Sequence, residues 1–129
     1  MKEIISTGKA PKPAGPYSPV VAFGDLLFIS GQGPVDLTTG EPIPGDLEQE
    51  TRRTLDNVKA ILEDVGSSLA DVLKVTAYLG DMNDFAAFNK IYAEYFTSRP
   101  PARTCIQAGR LPFDIKIEID VIACRRGAE

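Results

Sequence analysis

The stretch from residue 47 to residue 65 constrains the fold of this chain more than any other. Side chains suited to a buried face recur in it at helical spacing: Leu47, Thr51, Thr54, Leu55, Val58, Ile61, Leu62 and Val65. Charged and amide side chains take the other side: Glu48, Gln49, Arg52, Arg53, Asp56, Lys59 and Glu63. Asp46 is placed to cap the helix, and Gly66 lies just past its end. The pattern predicts a helix with one face on an apolar surface and the other in water.

The rest of the chain is predicted to form strands and one further helix. A second helix is predicted at about residues 83–97, where aromatic residues form a stripe that ends before the prolines at 100 and 101. Strands are predicted at residues 3–6, 20–23, 26–30, 72–81, 102–111 and 115–124. The order βββαβαββ predicts one α+β domain over residues 1–129, with both helices on one face of a mixed sheet. The other sheet face then needs a cover, most simply other subunits.

Composition removes several classes of function. The net charge of −4 argues against nucleic acid and against an anionic membrane surface as partners. No apolar run is long enough to span a bilayer, and the first residues do not resemble a signal peptide, so we expect a cytoplasmic protein. The chain has no histidine, and its two cysteines have no metal-binding spacing. We therefore expect no metal and no histidine-based catalysis.

Two charged residues stand inside the last two predicted strands. Period two places Glu118 on the face opposite Ile117 and Ile119, while Arg103 and Cys105 share a face of the preceding strand. In a simple hairpin Gln107 would oppose Glu118, but the sequence leaves that pairing open. Both charges sit on stiff elements, which hold a functional group more accurately than a loop does.

Each candidate residue has two interpretations. Arg103 could anchor a carboxylate or form a structural ion pair. Glu118 could act as a general acid or base, or be a solvated carboxylate on a strand. Cys105 could be a nucleophile, although a buried, inert thiol fits better without a histidine to activate it.

Four further residues have polar groups near turns or on the second helix. Ser30 and Gly31 end a strand, where the hydroxyl and backbone N–H could hold an anion or only shape the turn. Tyr17 lies in a Pro/Gly-rich loop that could present its ring or pack it. Asn89 flanks the aromatic stripe, where its amide needs partners.

Several segments together resemble the Rid (YjgF-type) family of reactive-intermediate imine deaminases. They are GPYSP, LLFISGQGPVD, QETRRTLDNVKAIL, VLKVTAYLGDMNDFAAFNKIYAEYF, PPARTC and RLPFDIKIEIDVIA, and they span essentially the whole chain in order. The resemblance implies a chorismate-mutase-like α+β fold assembled as a homotrimer, with three clefts at the subunit interfaces. It agrees with the uncovered sheet face inferred above.

The resemblance also implies an activity and a site. The activity is hydrolysis of 2-imino acids, 2-iminobutanoate and 2-iminopropanoate, to 2-oxo acids and ammonia, without a cofactor. Arg103 would clamp the substrate carboxylate, and Glu118 would handle water and protons. The positions that would line the cleft are Tyr17, Ser30, Gly31, Asn89 and Cys105. Two alternatives stay open: an endoribonuclease or translation inhibitor, and a chaperone-like protein or binder of 2-oxo acids without turnover.

Overall fold

The fold is seen in a computed structural model that describes residues 1–125, and these form six strands and two helices. In chain order they are β1 (Lys2–Ile4), β2 (Val20–Phe23), β3 (Leu26–Gln32), α1 (Leu47–Asp64), β4 (Val72–Leu79), α2 (Phe85–Tyr95), β5 (Ala102–Gln107) and β6 (Ile117–Cys124). Short 3-10 turns precede β4, α2 and β6. The predicted α+β order is confirmed. Neither helix of residues 1–125 combines the length and apolarity needed to cross a bilayer.

All six strands form one mixed sheet in the order β1-β2-β3-β6-β4-β5. The pair β4 and β5 is parallel because α2 carries the chain back between them, and the other pairs are antiparallel. The last two strands are therefore not a hairpin. β6 lies in the middle of the sheet between β3 and β4, and β5 is an edge strand.

The ends of α1 follow the sequence signals. The Asp46 carboxylate accepts a hydrogen bond from the Gln49 N–H at 2.8 Å, and the Gln49 side chain accepts one from the Asp46 N–H at 2.9 Å. This reciprocal capping box satisfies two N–H groups at the helix start. Gly66, with φ of 86°, follows the C-terminal residue in the left-handed conformation that glycine adopts without strain.

Residues 81–84 delay the start of α2. The Asp81 side chain accepts a hydrogen bond from the Asn83 N–H at 2.9 Å, and the chain makes a 3-10 turn over Met82–Asp84 before α2 begins at Phe85. The predicted start at residue 83 is therefore early by two residues. The predicted end at residue 97 is late, because α2 ends at Tyr95.

The core lies between the two helices and one face of the sheet. Its fully buried side chains include Val20, Leu27, Leu55, Val58, Ile61, Leu62, Val75, Leu79, Phe88, Ile117, Ile119 and Val121. The alternation of Leu73, Val75, Ala77 and Leu79 with other residues in the sequence predicts that Leu73 shares this face, and that prediction is wrong. A bulge between Val72 and Lys74 adds one residue to β4, so that Val72 is buried and Leu73 is 48% exposed.

The connection from β5 to β6 also differs from the sequence prediction. β5 ends at Gln107 rather than residue 111, because the chain must leave the sheet edge and pass the end of β4. Ala108 donates a backbone hydrogen bond to Leu79 O at 2.8 Å on the way. A 3-10 turn at Pro112–Asp114 then reverses the chain, and β6 begins at Ile117.

Candidate active site

The strand registers place Arg103 and Glu118 on opposite faces of the sheet. Arg103 pairs with Val75, a buried residue on the helix-covered face. Glu118 pairs with Tyr78, which points to the other face because side chains alternate along β4. A single chain therefore does not bring the two predicted catalytic side chains together.

The Glu118 carboxyl group lies directly on the backbone of Gly31. A Cβ atom built on Gly31 would collide with Glu118 Oε2 and would lie 2.9 Å from Glu118 Cδ. Only glycine allows this approach without moving the carboxylate. Within residues 1–125 the Glu118 side chain has neither a hydrogen bond nor an ion pair, so its oxygens are available to another molecule.

The surroundings of Glu118 favour its protonated form. Burial raises the pKa of Glu118, and the nearby Asp120 carboxylate raises it further. Asp120 lies on the same face two residues along β6 and accepts a hydrogen bond from Tyr78 Oη at 3.0 Å. A raised pKa brings a carboxyl group closer to the pH range in which it can both accept and donate a proton, as acid–base catalysis requires.

Ser30 fixes the loop that carries Tyr17. The Ser30 hydroxyl donates to Ser18 O at 2.6 Å, and the Ser30 N–H donates to Pro19 O at 2.9 Å. Tyr17 is 51% exposed. The Ser30 hydroxyl thus helps to shape the loop, and its role in holding an anion stays a prediction.

Two adjoining clefts surround Glu118. One has a volume of about 580 Å³ and extends along the open sheet face to Phe28 and Ile122. The other has a volume of about 350 Å³ and lies beneath the Pro/Gly-rich loop. Residues that border both clefts are Tyr17, Gly31, Pro112 and Glu118. The predicted residues Tyr17, Ser30, Gly31 and Glu118 are thus brought together.

Arg103 lies on an aromatic platform supplied by α2. Its Cζ atom is 4.8 Å from the ring centre of Tyr92, 5.5 Å from that of Phe88 and 5.7 Å from that of Phe85. The guanidinium forms no hydrogen bond and no ion pair with any side chain in residues 1–125. The structural ion pair considered from the sequence is therefore absent from this part of the chain. Cation–π contacts orient the planar group and leave its N–H donors free.

Cys105 and Asn89 accompany Arg103 on the helix-covered face. Burial raises the pKa of the Cys105 thiol, while the Arg103 charge acts in the opposite direction. A thiol with a raised pKa is a poor nucleophile at neutral pH, in agreement with the inert interpretation. The Asn89 Oδ1 atom is buried and accepts no hydrogen bond from residues 1–125. The structure therefore brings Arg103 and Cys105 together, and Asn89 follows directly after Phe88, one of the rings that Arg103 contacts.

Comparison with known proteins identifies the family of the chain. The sequence profile of the family described as Endoribonuclease L-PSP matches residues 7–125. The chain belongs to this family. The 1.2 Å crystal structure of the YjgF gene product of Escherichia coli matches the chain with a TM-score of 0.87 and 44% identity over 96% of this chain and 99% of that one. The Rid (YjgF-type) assignment made from the sequence motifs is confirmed.

Several known proteins are similar to the chain over nearly its whole length. A RutC family protein of Pyrococcus horikoshii is 56% identical and covers 95% of this chain and 98% of its own length. A protein of E. coli named 2-iminobutanoate/2-iminopropanoate deaminase is 45% identical over 98% of this chain and 100% of its own length. The crystal structure of E. coli TdcF with bound serine matches with a TM-score of 0.87 and 44% identity over 95% of this chain.

Sequence reasoning missed part of the site of this L-PSP family member. From the sequence, the aromatic stripe of α2 is assigned only to a helix that packs on the sheet, although Phe85, Phe88 and Tyr92 also contact Arg103. Its position just before the strand that carries an isolated arginine was a usable signal. Pro112 borders both clefts, but the sequence contained no signal for this. Its position beside Glu118 results from the conformation of the turn that precedes β6. Within residues 1–125, no cluster of three or more metal-ligating side chains is present.

Proposed function

We propose that the protein hydrolyses 2-imino acids, such as 2-iminobutanoate and 2-iminopropanoate, to 2-oxo acids and ammonia. The observation that carries the proposal is a pair of unneutralised groups, the Arg103 guanidinium and the Glu118 carboxyl group. Neither has an ionic or hydrogen-bond partner within residues 1–125, and each is held by its own scaffold. A relative that is 45% identical over 98% of this chain is named as a deaminase of these two imines, which supports the same assignment.

Arg103 is the anchor for the substrate carboxylate. A guanidinium presents two parallel N–H donors to a carboxylate, so it fixes both the position and the orientation of a small acid. The three aromatic rings behind Arg103 restrict its rotation and exclude water from one of its faces. Substrate alignment of this kind can supply several powers of ten in rate.

Glu118 handles the protons of the reaction. Its carboxylate takes a proton from a water molecule as the water oxygen bonds to the imine carbon, and it passes that proton to the imine nitrogen, which gives a neutral carbinolamine. Glu118 then takes the hydroxyl proton of the carbinolamine and gives it to the nitrogen as the C–N bond breaks and the C=O bond forms. Glu118 ends as the carboxylate it began as, and water and imine have become 2-oxo acid and ammonia.

The complete site is proposed to form between two copies of the chain. Because Arg103 and Glu118 occupy opposite sheet faces, a substrate that touches both must lie between one copy's Arg103 group and another copy's Glu118 group. The Arg103 group also contains Cys105 and Asn89, and the Glu118 group contains Tyr17 and Gly31. Closed threefold symmetry would give three identical sites in a homotrimer. Apolar side chains on the open sheet face, such as Phe28 at 40% and Ile106 at 45% exposed, suit such an interface.

The experiment is a coupled assay in which a serine or threonine dehydratase generates the imine in amine-free buffer. Catalytic amounts of the protein should accelerate release of 2-oxo acid and ammonia, whereas Glu118→Gln protein at the same concentration should not. Equal rates with and without the protein would refute the proposal. Tight binding of 2-oxobutanoate without acceleration would identify a binder, and RNA cleavage lost in Glu118→Gln would identify a nuclease.

A further inference from the structure

Besides two threonines, helix α1 buries a carboxyl and an amide side chain, those of Glu50 and Asn57. Glu50 is 3% exposed and Asn57 is 7% exposed. The two residues are seven positions apart, so they lie two turns apart on one side of the helix. A buried carboxylate is costly unless several donors satisfy it, so its position calls for an explanation.

Glu50 holds the backbone that leads into β6. Its Oε1 atom accepts a hydrogen bond from the Lys116 N–H at 2.8 Å, and its Oε2 atom accepts one from the Gly45 N–H at 3.2 Å. Lys116 Nζ lies 3.2 Å from Oε2 and also donates to Gly45 O at 2.8 Å. On its other side the Lys116 carbonyl accepts from the Gly80 N–H at 2.9 Å. Both backbone groups of Lys116 are therefore fixed two residues before Glu118.

Asn57 holds the backbone that leaves β3. Its Nδ2 group donates to Val35 O at 2.9 Å and to Gly33 O at 3.2 Å. Gly33 lies two residues after Gly31, just as Lys116 lies two residues before Glu118. Side chains of α1 therefore bind the backbone at Gly33, after Gly31, and at Lys116, before Glu118.

The sheet itself does not fix that contact. The ladder between β3 and β6 is regular up to the pair Ile29 and Val121, then shifts register before Gln32 pairs with Ile119. Gly31 lies inside this irregular segment. The close approach of Glu118 to Gly31 therefore occurs where regular strand pairing is interrupted. Hydrogen bonds with Glu50 and Asn57 of α1 hold the backbone there instead.

We propose that Glu50 is a positioning residue, which fixes Glu118 against Gly31 by holding the Lys116 backbone. The catalytic part of this proposal rests on the proposed deaminase function. A positioning role depends on the length of the Glu50 side chain, because its hydrogen bond to the Lys116 N–H sets the distance between α1 and the start of β6. A role in charge pairing alone requires only a carboxylate near Lys116 Nζ.

Two substitutions separate reach from charge. Glu50→Gln keeps the side-chain length and one acceptor oxygen but loses the charge. Glu50→Asp keeps the charge but shortens the side chain by one methylene. Positioning predicts that Glu50→Asp lowers kcat by about tenfold or more, with KM changed by less than about threefold, because the Arg103 anchor is on another element. It predicts that Glu50→Gln retains most of kcat. Val58→Ala is the matched control, because Val58 is equally buried on α1 and makes no polar contact to the site strands.

A readout without substrate separates failure of this proposal from failure of the deaminase proposal. We expect the Gly31 amide signal and the Glu118 carboxyl carbon signal in NMR spectra to move in Glu50→Asp and to stay near wild type in Glu50→Gln and Val58→Ala. If the wild type is not a deaminase, this comparison still decides whether Glu50 positions Glu118. Unmoved signals in Glu50→Asp, or a larger effect of Glu50→Gln than of Glu50→Asp, would overturn the positioning role.

Discussion

Arg103 and Glu118 lie on opposite faces of one sheet, with β4 between the strands that carry them. The helix-covered face holds the guanidinium against the rings of α2, and the open face holds the carboxyl group against Gly31. Each group is held by its own part of the fold, and neither has an ion-pair partner among residues 1–125. Two such half-sites can act on one substrate only when two copies of the chain meet.

Replacement of Arg103 should remove substrate anchoring without unfolding the protein. We expect Arg103→Ala to lower kcat/KM by about 100-fold or more, the cost of leaving a charged hydrogen-bond partner unpaired. Arg103→Lys should recover only part of this, because an ammonium group keeps the charge and loses the planar fork. Steady-state kinetics in the coupled assay measure both effects. Arg53→Ala, on the exposed side of α1, serves as the control and should match wild type.

A methyl group at Gly31 should displace the Glu118 carboxyl group. The atoms that a Cβ would meet belong to the far end of the Glu118 side chain, so the side chain should move and the backbone should stay. We expect Gly31→Ala to lower kcat by about tenfold or more while the melting temperature changes little. Gly109→Ala is a suitable control, because a Cβ there meets no atom within 4 Å among the described residues. Wild-type kcat in Gly31→Ala would contradict the placement of Glu118 in the reaction.

The charge of Asp120 should affect how kcat depends on pH. Burial and Asp120 both raise the pKa of Glu118, so Asp120→Asn should lower that pKa. If the Glu118 carboxylate is the base toward water, activity is lost as the pH falls through this pKa, and the acidic limb of kcat should move to lower pH in Asp120→Asn. Tyr78→Phe keeps the Asp120 charge and should leave the limb near its wild-type position. A limb that stays fixed in Asp120→Asn would remove Asp120 as a determinant of the Glu118 pKa.

The thiol of Cys105 should be dispensable. Burial raises its pKa, so the fraction of thiolate at neutral pH is small. We expect Cys105→Ala to keep kcat within a few-fold of wild type and iodoacetamide to leave the activity of wild type unchanged. Loss of more than about a thousandfold in Cys105→Ala would instead assign Cys105 a covalent role.

The sequence predicted those parts of the fold that depend on local pattern. The helix α1, its Asp46 cap and its Gly66 end follow from periodicity and terminal residues, because these signals act over a few residues. The position of Leu73 was predicted incorrectly, because a bulge changes the alternation without a mark in the local pattern. The relation between Arg103 and Glu118 depends on strand order, which contacts distant along the chain determine.

The polar residues of α1 were a signal that the sequence contained and periodicity alone did not interpret. Glu50 and Asn57 fall at helical spacing within the buried stripe, so a strict reading of the pattern places two polar groups in the core. Buried polar groups require partners, and that requirement predicts nearby backbone to bind. Which backbone they bind follows only from the fold, since Lys116 is 66 residues from Glu50.

The division of the site between copies makes a prediction that no single-chain site can satisfy. Arg103→Ala and Glu118→Gln should each be inactive alone, but co-expression of the two variants should restore activity. In a randomly mixed homotrimer, about one quarter of the sites would pair an intact Arg103 with an intact Glu118 from another copy. The coupled assay should therefore show about one quarter of wild-type activity in the mixture. The double variant, co-expressed with wild-type chain in equal amounts, should also retain about one quarter, whereas a site within one chain would retain half. An inactive mixture of the single variants would show that the two groups do not serve one substrate.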